Sequence, residues 1–116
     1  MNRPGGYWVM NEVLHSELPA EFRRRAEAVL PGRVSKIMLF GSRARGDSRA
    51  DSDWDFAVFL TGPFSAADQW ALADAAYEMM MEMGGEPFIQ PIAFRAEREN
   101  EDTLLMRNIR NEGRRI

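Results

Sequence analysis

A chain of 116 residues fits one domain, and 45% apolar residues are enough to bury a core. A net charge of −3 argues against direct nucleic-acid binding, and the absence of cysteine removes disulfides and zinc–thiolate sites. No apolar run approaches the ~20 residues that span a bilayer, so no membrane partner is expected. The opening MNRPGGYWVMNEV lacks the apolar core of a signal peptide, which points to a cytoplasmic protein.

Residues 1–17 carry Pro4, Gly5 and Gly6 and show no clear period; they read as an irregular N-terminal segment in which Tyr7, Trp8 and Val9 form a short docked piece. The stretch 19–30 reads as a helix, with Pro19 in its first turn and Leu18, Phe22, Ala26 and Val29 on one face. Pro31-Gly32 ends it. Residues 35–41, SKIMLFG, and 55–60, DFAVFL, read as buried strands, and Thr61-Gly62-Pro63 as a turn. Ser65 then caps a helix, with Asp68 as the capping-box partner, that runs to about Met83 and buries Trp70, Ala73, Tyr77 and Met80. Gly84-Gly85 stops it. A third strand follows at 87–94, where Pro91 demands an edge position or a bulge. The stretch 96–113 reads as a last helix with Leu104, Leu105 and Ile109 inward and Gly113 at its end. The expected architecture is a small α/β (α+β) domain covering 1–116, with a mixed sheet of three to four strands and helices mainly on one face.

The chemistry concentrates in GSRARGDSRADSDWDFAVFL, residues 41–60. Residues two apart in a strand share a face, so Asp53 and Asp55 project together while Trp54 turns into the packing. Two adjacent carboxylates repel, and a cation between them relieves the repulsion. All-oxygen ligation favours Mg²⁺, which completes its shell with waters and substrate phosphates. The Gly41-Ser42 turn supplies the complementary half. Gly41 lets a phosphate approach the backbone, the following amides and the Ser42 hydroxyl can donate to it, and Arg43 or Arg45 can add positive charge. The local logic is a triphosphate cradle facing a metal-binding carboxylate pair.

These residues resemble the signature of the nucleotidyltransferase superfamily that includes DNA polymerase beta. The fuller string is similar to the minimal nucleotidyltransferases, single-domain prokaryotic proteins encoded beside HEPN-domain proteins. Gly41, Ser42, Ala44, Arg45, Gly46, Ser52, Asp53, Asp55, Phe56 and Val58 all match that group, and the tail NIRNEGRRI resembles its endings. The resemblance implies the small nucleotidyltransferase fold, Asp53 and Asp55 as catalytic Mg²⁺ ligands, and Gly41 and Ser42 on the nucleotide phosphates. It further implies an antitoxin that transfers AMP from ATP to a tyrosine hydroxyl of a HEPN toxin. One departure stands out. The superfamily commonly places a third carboxylate on the next strand, and EPFIQPIAF contains no aspartate. By alternation Glu86, Phe88 and Gln90 share a face. Glu86 can act as a displaced base, Gln90 can fill the place without basicity, or a partner can supply the group. An antitoxin that acts by masking its partner, or a transferase for a small molecule, are the alternative functions.

The remaining features have plain structural readings. His15, the single histidine, is assigned a structural or surface role. Among Met79, Met80, Met81 and Met83, at least Met80 reads as core, with a partner-binding surface as the alternative. Arg23-Arg24-Arg25 reads as a solvated helix face, with an RNA contact as the alternative, and Asp47, Arg49 and Asp51 as loop solvation.

Overall fold

A computed structural model describes residues 7–49 and 52–116, with side chains described from Glu17 onward except in the 50–51 gap. The elements follow in the order α1 (Tyr7–Val29), β1 (Val34–Phe40), α2 (Ser42–Arg45), β2 (Trp54–Leu60), α3 (Ala66–Glu82), β3 (Ile89–Arg95), a 3-10 segment (Ala96–Asn100), α4 (Leu104–Glu112) and β4 (Arg114–Arg115). The strands form one mixed sheet in the order β3-β2-β1-β4. β1 is antiparallel to both β2 and β4, and β2 is parallel to β3.

The alternation of β1 and β2 divides the core. Ile37, Leu39, Phe56, Val58 and Leu60 face α1 and α3, where they meet Leu18, Phe22, Ala26, Leu72, Ala76 and Met79. Phe22 stacks on Phe56 with centroids 4.4 Å apart. The other face carries Met38, Ala57 and Phe59 and is covered by Met106 and Ile109 of the shorter α4. The helices thus lie mainly on one face, as expected, with α4 alone on the second. β3 is an edge strand, which accommodates Pro91. Gln69 of α3 closes that edge: its amide donates to the Pro91 carbonyl at 2.8 Å and accepts from the Ala93 amide at 2.7 Å. Arg33 and Asp68 form a second brace, with paired contacts of 2.8 and 3.1 Å, while Asp68 also accepts from the Ser65 amide as the capping box requires.

Four expectations need correction. Residues 7–17 are helical; the break is local to Glu17, which has φ −118° and ψ 15° and allows Pro19 to sit in the first turn of the second helical piece. The expectations for the side chains of Tyr7, Trp8, Val9 and His15, and for Asp51, lie outside the described residues. Leu30, the residue just past α1, is buried, whereas Val29 is exposed. α3 buries Leu72, Ala75, Ala76, Met79 and Met80, whereas Trp70 and Tyr77 are 68% and 60% exposed. The aromatic residues suggest the wrong phase: Trp70 and Tyr77 lie on the outer face, while Leu72, Ala76 and Met79 enter the core. Finally, the last helix is two pieces: Glu101–Thr103 separate the 3-10 segment from α4, and Thr103 caps α4 by accepting from the Met106 amide. That cap fixes a phase in which Met106 and Ile109 are buried and Leu104 and Leu105 are exposed.

The methionine cluster is mostly core, since Met79, Met80 and Met83 are buried and only Met81 is exposed. Arg23 and Arg24 lie on a solvated face, paired with Glu27 and Glu21, whereas Arg25 is half-buried, pairs with Glu21 and ties α1 to α3 through Glu82. Among the described residues no helix is long and apolar enough to cross a membrane.

Candidate active site

β1 delivers the chain to the site at Phe40, which pairs directly with Asp55 of β2. Gly41 then turns with φ +79° and ψ −161°, and α2 begins at Ser42. The amides of Ala44 and Arg45 close the turn on the Gly41 carbonyl at 3.1 Å, and Gly46 ends it with φ +87°. The helical start leaves the preceding amides without intrahelical partners. Glycine at 41 has two physical causes. Its φ lies in the left-handed region, and a Cβ there would stand 2.5 Å from the Asp55 Oδ2. The Asp55 carboxylate therefore lies directly against the bend.

Asp53 immediately precedes β2, and Asp55 follows on the face shared with Ala57 and Phe59. Gln90 joins the two. It is the register partner of Asp55 across the parallel β2–β3 pair, and its Nε2 donates to Asp53 Oδ2 at 2.8 Å. Burial pushes the Asp55 carboxyl above its ordinary range, and the negative charge of Asp53 adds to the effect. Among the described residues, neither aspartate takes part in an ion pair, and no group of three acidic, histidine or cysteine side chains comes together. Two adjoining carboxylates, one of them partly desolvated and neither neutralised, fit a hard divalent cation that draws its remaining ligands from water and phosphate.

The other candidates fall in different places. Ser42 opens α2 beside the bend. Arg43 is engaged on the opposite side of the sheet: its Nε and Nη2 donate to the Ser52 carbonyl at 3.2 and 2.9 Å, and its guanidinium lies 4.4 Å from the centroid of the Trp54 ring. Trp54 packs into the α1–α3 core as expected and stacks on Phe56. Arg45 meets Asp47 at 3.4 Å and Glu112 at 3.9 Å. Glu86 is exposed and precedes β3 by three residues, so the strand alternation does not extend to it. The structure thus brings Gln90, not Glu86, to the aspartates.

A contribution of the C-terminal tail escapes sequence reasoning. Arg114, opposite Leu39 in the sheet, reaches the Arg43 carbonyl at 3.4 Å. The tail can do so because Gly113 passes where a Cβ would meet the Ile109 carbonyl at 2.4 Å and the Leu39 carbonyl at 3.1 Å. The visible signal was the Gly-Arg-Arg sequence after an amphipathic helix, but a two-residue strand has no detectable period.

The sequence profile of the Polymerase beta, Nucleotidyltransferase family matches residues 27–116. A comparison with curated proteins finds no match. The matched region takes in every strand, the Gly41 bend, both aspartates and the tail that closes the sheet. By that match over most of its length, this chain belongs to the polymerase beta nucleotidyltransferase family.

Proposed function

We propose that this chain is a Mg²⁺-dependent nucleotidyltransferase that acts as an antitoxin, transferring AMP from ATP to a tyrosine hydroxyl of a HEPN-domain toxin. The observation that carries the reading is the contact of the Asp55 carboxylate with the Gly41 bend, beside Asp53. It sets a metal-binding pair next to a turn suited to phosphate. In the reaction the acceptor oxygen bonds to the α-phosphorus, the bond to the bridging oxygen breaks, and pyrophosphate leaves with its electron pair. Asp53 and Asp55 would hold Mg²⁺, which when bound offsets phosphate charge. Gly41 and Ser42 would orient the triphosphate. The acceptor proton passes to a partner group or to water, since Glu86 lies outside β3 and Gln90, not Glu86, meets the aspartates. The resemblance of residues 41–58 to the minimal nucleotidyltransferases supports the antitoxin role and the HEPN partner.

Incubating the protein with α-labelled ATP, Mg²⁺ and the product of the adjacent gene tests the reading. The expected result is label on the partner that disappears when Asp53→Asn and Asp55→Asn are combined; no label on the partner with the native chain would refute it. A second reading, neutralisation by masking, is favoured by Gln90, because the β3 side chain that reaches Asp53 is a neutral amide, which accepts no proton from an acceptor hydroxyl. Rescue from toxicity that survives the double substitution is its expected outcome.

A further inference from the structure

From the contacts of its side chain we infer that Arg43 is a positioning residue that locks the phosphate turn to the carboxylate segment. The inference rests on the reading of Asp53 and Asp55 as divalent-metal ligands. Arg43 is the residue after Ser42, so its backbone belongs to the turn. Its side chain grips the residues on either side of Asp53: the carbonyl of Ser52 through two donors, and the ring of Trp54 by stacking. One rigid guanidinium therefore spans from the turn to the chain on both sides of Asp53. The brace is anchored at each end. Trp54 is packed against the α1–α3 core, and the Arg43 carbonyl accepts from Arg114 of β4. The linkage joins the turn to the chain beside Asp53 directly, in addition to the β1–β2 pairing that sets Phe40 opposite Asp55.

The chemistry of the contacts makes a definite demand on the side chain. Forked donation to one carbonyl combined with stacking on an indole face needs a planar guanidinium, which lysine cannot replace. A phosphate ligand acting as a point charge would, in contrast, tolerate lysine.

The test measures two binding events separately, each without turnover. Mn²⁺ binding is followed by electron paramagnetic resonance, and tripolyphosphate binding without metal by calorimetry. For Arg43→Ala and Arg43→Lys alike, Mn²⁺ affinity is expected to fall about 10-fold, as for the loss of a group that orients metal ligands. Tripolyphosphate affinity is expected to stay within about 2-fold of native, the size of a minor rim contact. Trp54→Leu, which removes the stacking platform from the other end, is expected to reproduce the Mn²⁺ defect. Circular dichroism identifies a variant that fails to fold, and Arg43→Lys then carries the comparison. Unchanged Mn²⁺ affinity in folded Arg43→Lys would overturn the inference, as would a loss confined to tripolyphosphate binding in Arg43→Ala. A native protein that binds no Mn²⁺ would overturn the metal-site reading itself, and the inference with it.

Discussion

The Gln90 side-chain amide donates to the Asp53 carboxylate at 2.8 Å while its backbone faces Asp55 across the β2–β3 pair. A neutral donor therefore sits beside the two aspartates, on the strand next to β2. Gln90→Asp adds negative charge to a pair that already repels, so it should tighten divalent-metal binding and raise transfer at saturating metal by about 100-fold, the lower end of what a positioned base contributes. Initial rates of label transfer at several Mg²⁺ concentrations check this; a slower enzyme would show that the amide's hydrogen bond matters more than basicity at this position.

The Gly41 bend and Asp55 cannot both keep their places if a side chain is added. Gly41→Ala would put a Cβ 2.5 Å from Asp55 Oδ2 and hold alanine at φ +79°. The carboxylate must move, and a displacement of that kind costs about 100-fold in a reaction that depends on positioning. The expected outcome is a folded protein, by circular dichroism, with transfer reduced by about that factor. Gly32→Ala, where the same φ problem arises but no atom lies within 4 Å of the Cβ, should lose only stability.

The raised Asp55 carboxyl has a thermal signature. Its protonated form is favoured in the folded state, so folding binds a proton more readily than the unfolded chain does. Stability contributed by this group is full below the ordinary carboxylate range and declines as pH rises through the elevated folded value. At neutral pH the charge is a cost, and a divalent ion offsets it. Asp55→Asn should therefore raise the metal-free melting temperature at pH 7, and the gain should shrink on acidification. Mg²⁺ should stabilise the native chain and leave the variant unmoved. Differential scanning calorimetry across pH 4 to 7, spanning the carboxylate range upward, reads both effects.

How much of this was legible in the sequence follows from which physical signals are local. The strands at 34–40 and 54–60 are short apolar runs bounded by glycine, and the Gly-Ser turn and Asp-x-Asp spacing speak through adjacent residues. Gln90 could be placed only as one alternative, because its pairing with Asp55 depends on the register of strands 35 residues apart in sequence. Arg43 reads as a phosphate residue by proximity alone; its contacts across the loop to Ser52 and Trp54 are tertiary. The phase of α3 is likewise set by tertiary packing. Large aromatic residues carry the strongest apolar signal, but Leu72, Ala76 and Met79 are the residues that enter the core.

That phase has an energetic consequence. Met79 is fully buried, so Met79→Ala should destabilise the fold by about 2–5 kcal/mol. Trp70 is mostly exposed, and Trp70→Ala should cost within about 0.5 kcal/mol. Urea denaturation of the two variants gives the comparison; a large loss at Trp70 with a small one at Met79 would reverse the assigned face.

The central claim is that the carboxylates at 53 and 55 and the bend at 41–42 form one metal–nucleotide site. Adding substoichiometric Mn²⁺ with ATP to isotope-labelled protein and recording amide spectra tests it directly. Paramagnetic broadening should be strongest at Gly41, Ser42, Asp53, Asp55 and Gln90 and absent at Met81 on the far face of α3. Broadening centred elsewhere, with the signals of Gly41 and Asp55 left sharp, would contradict it.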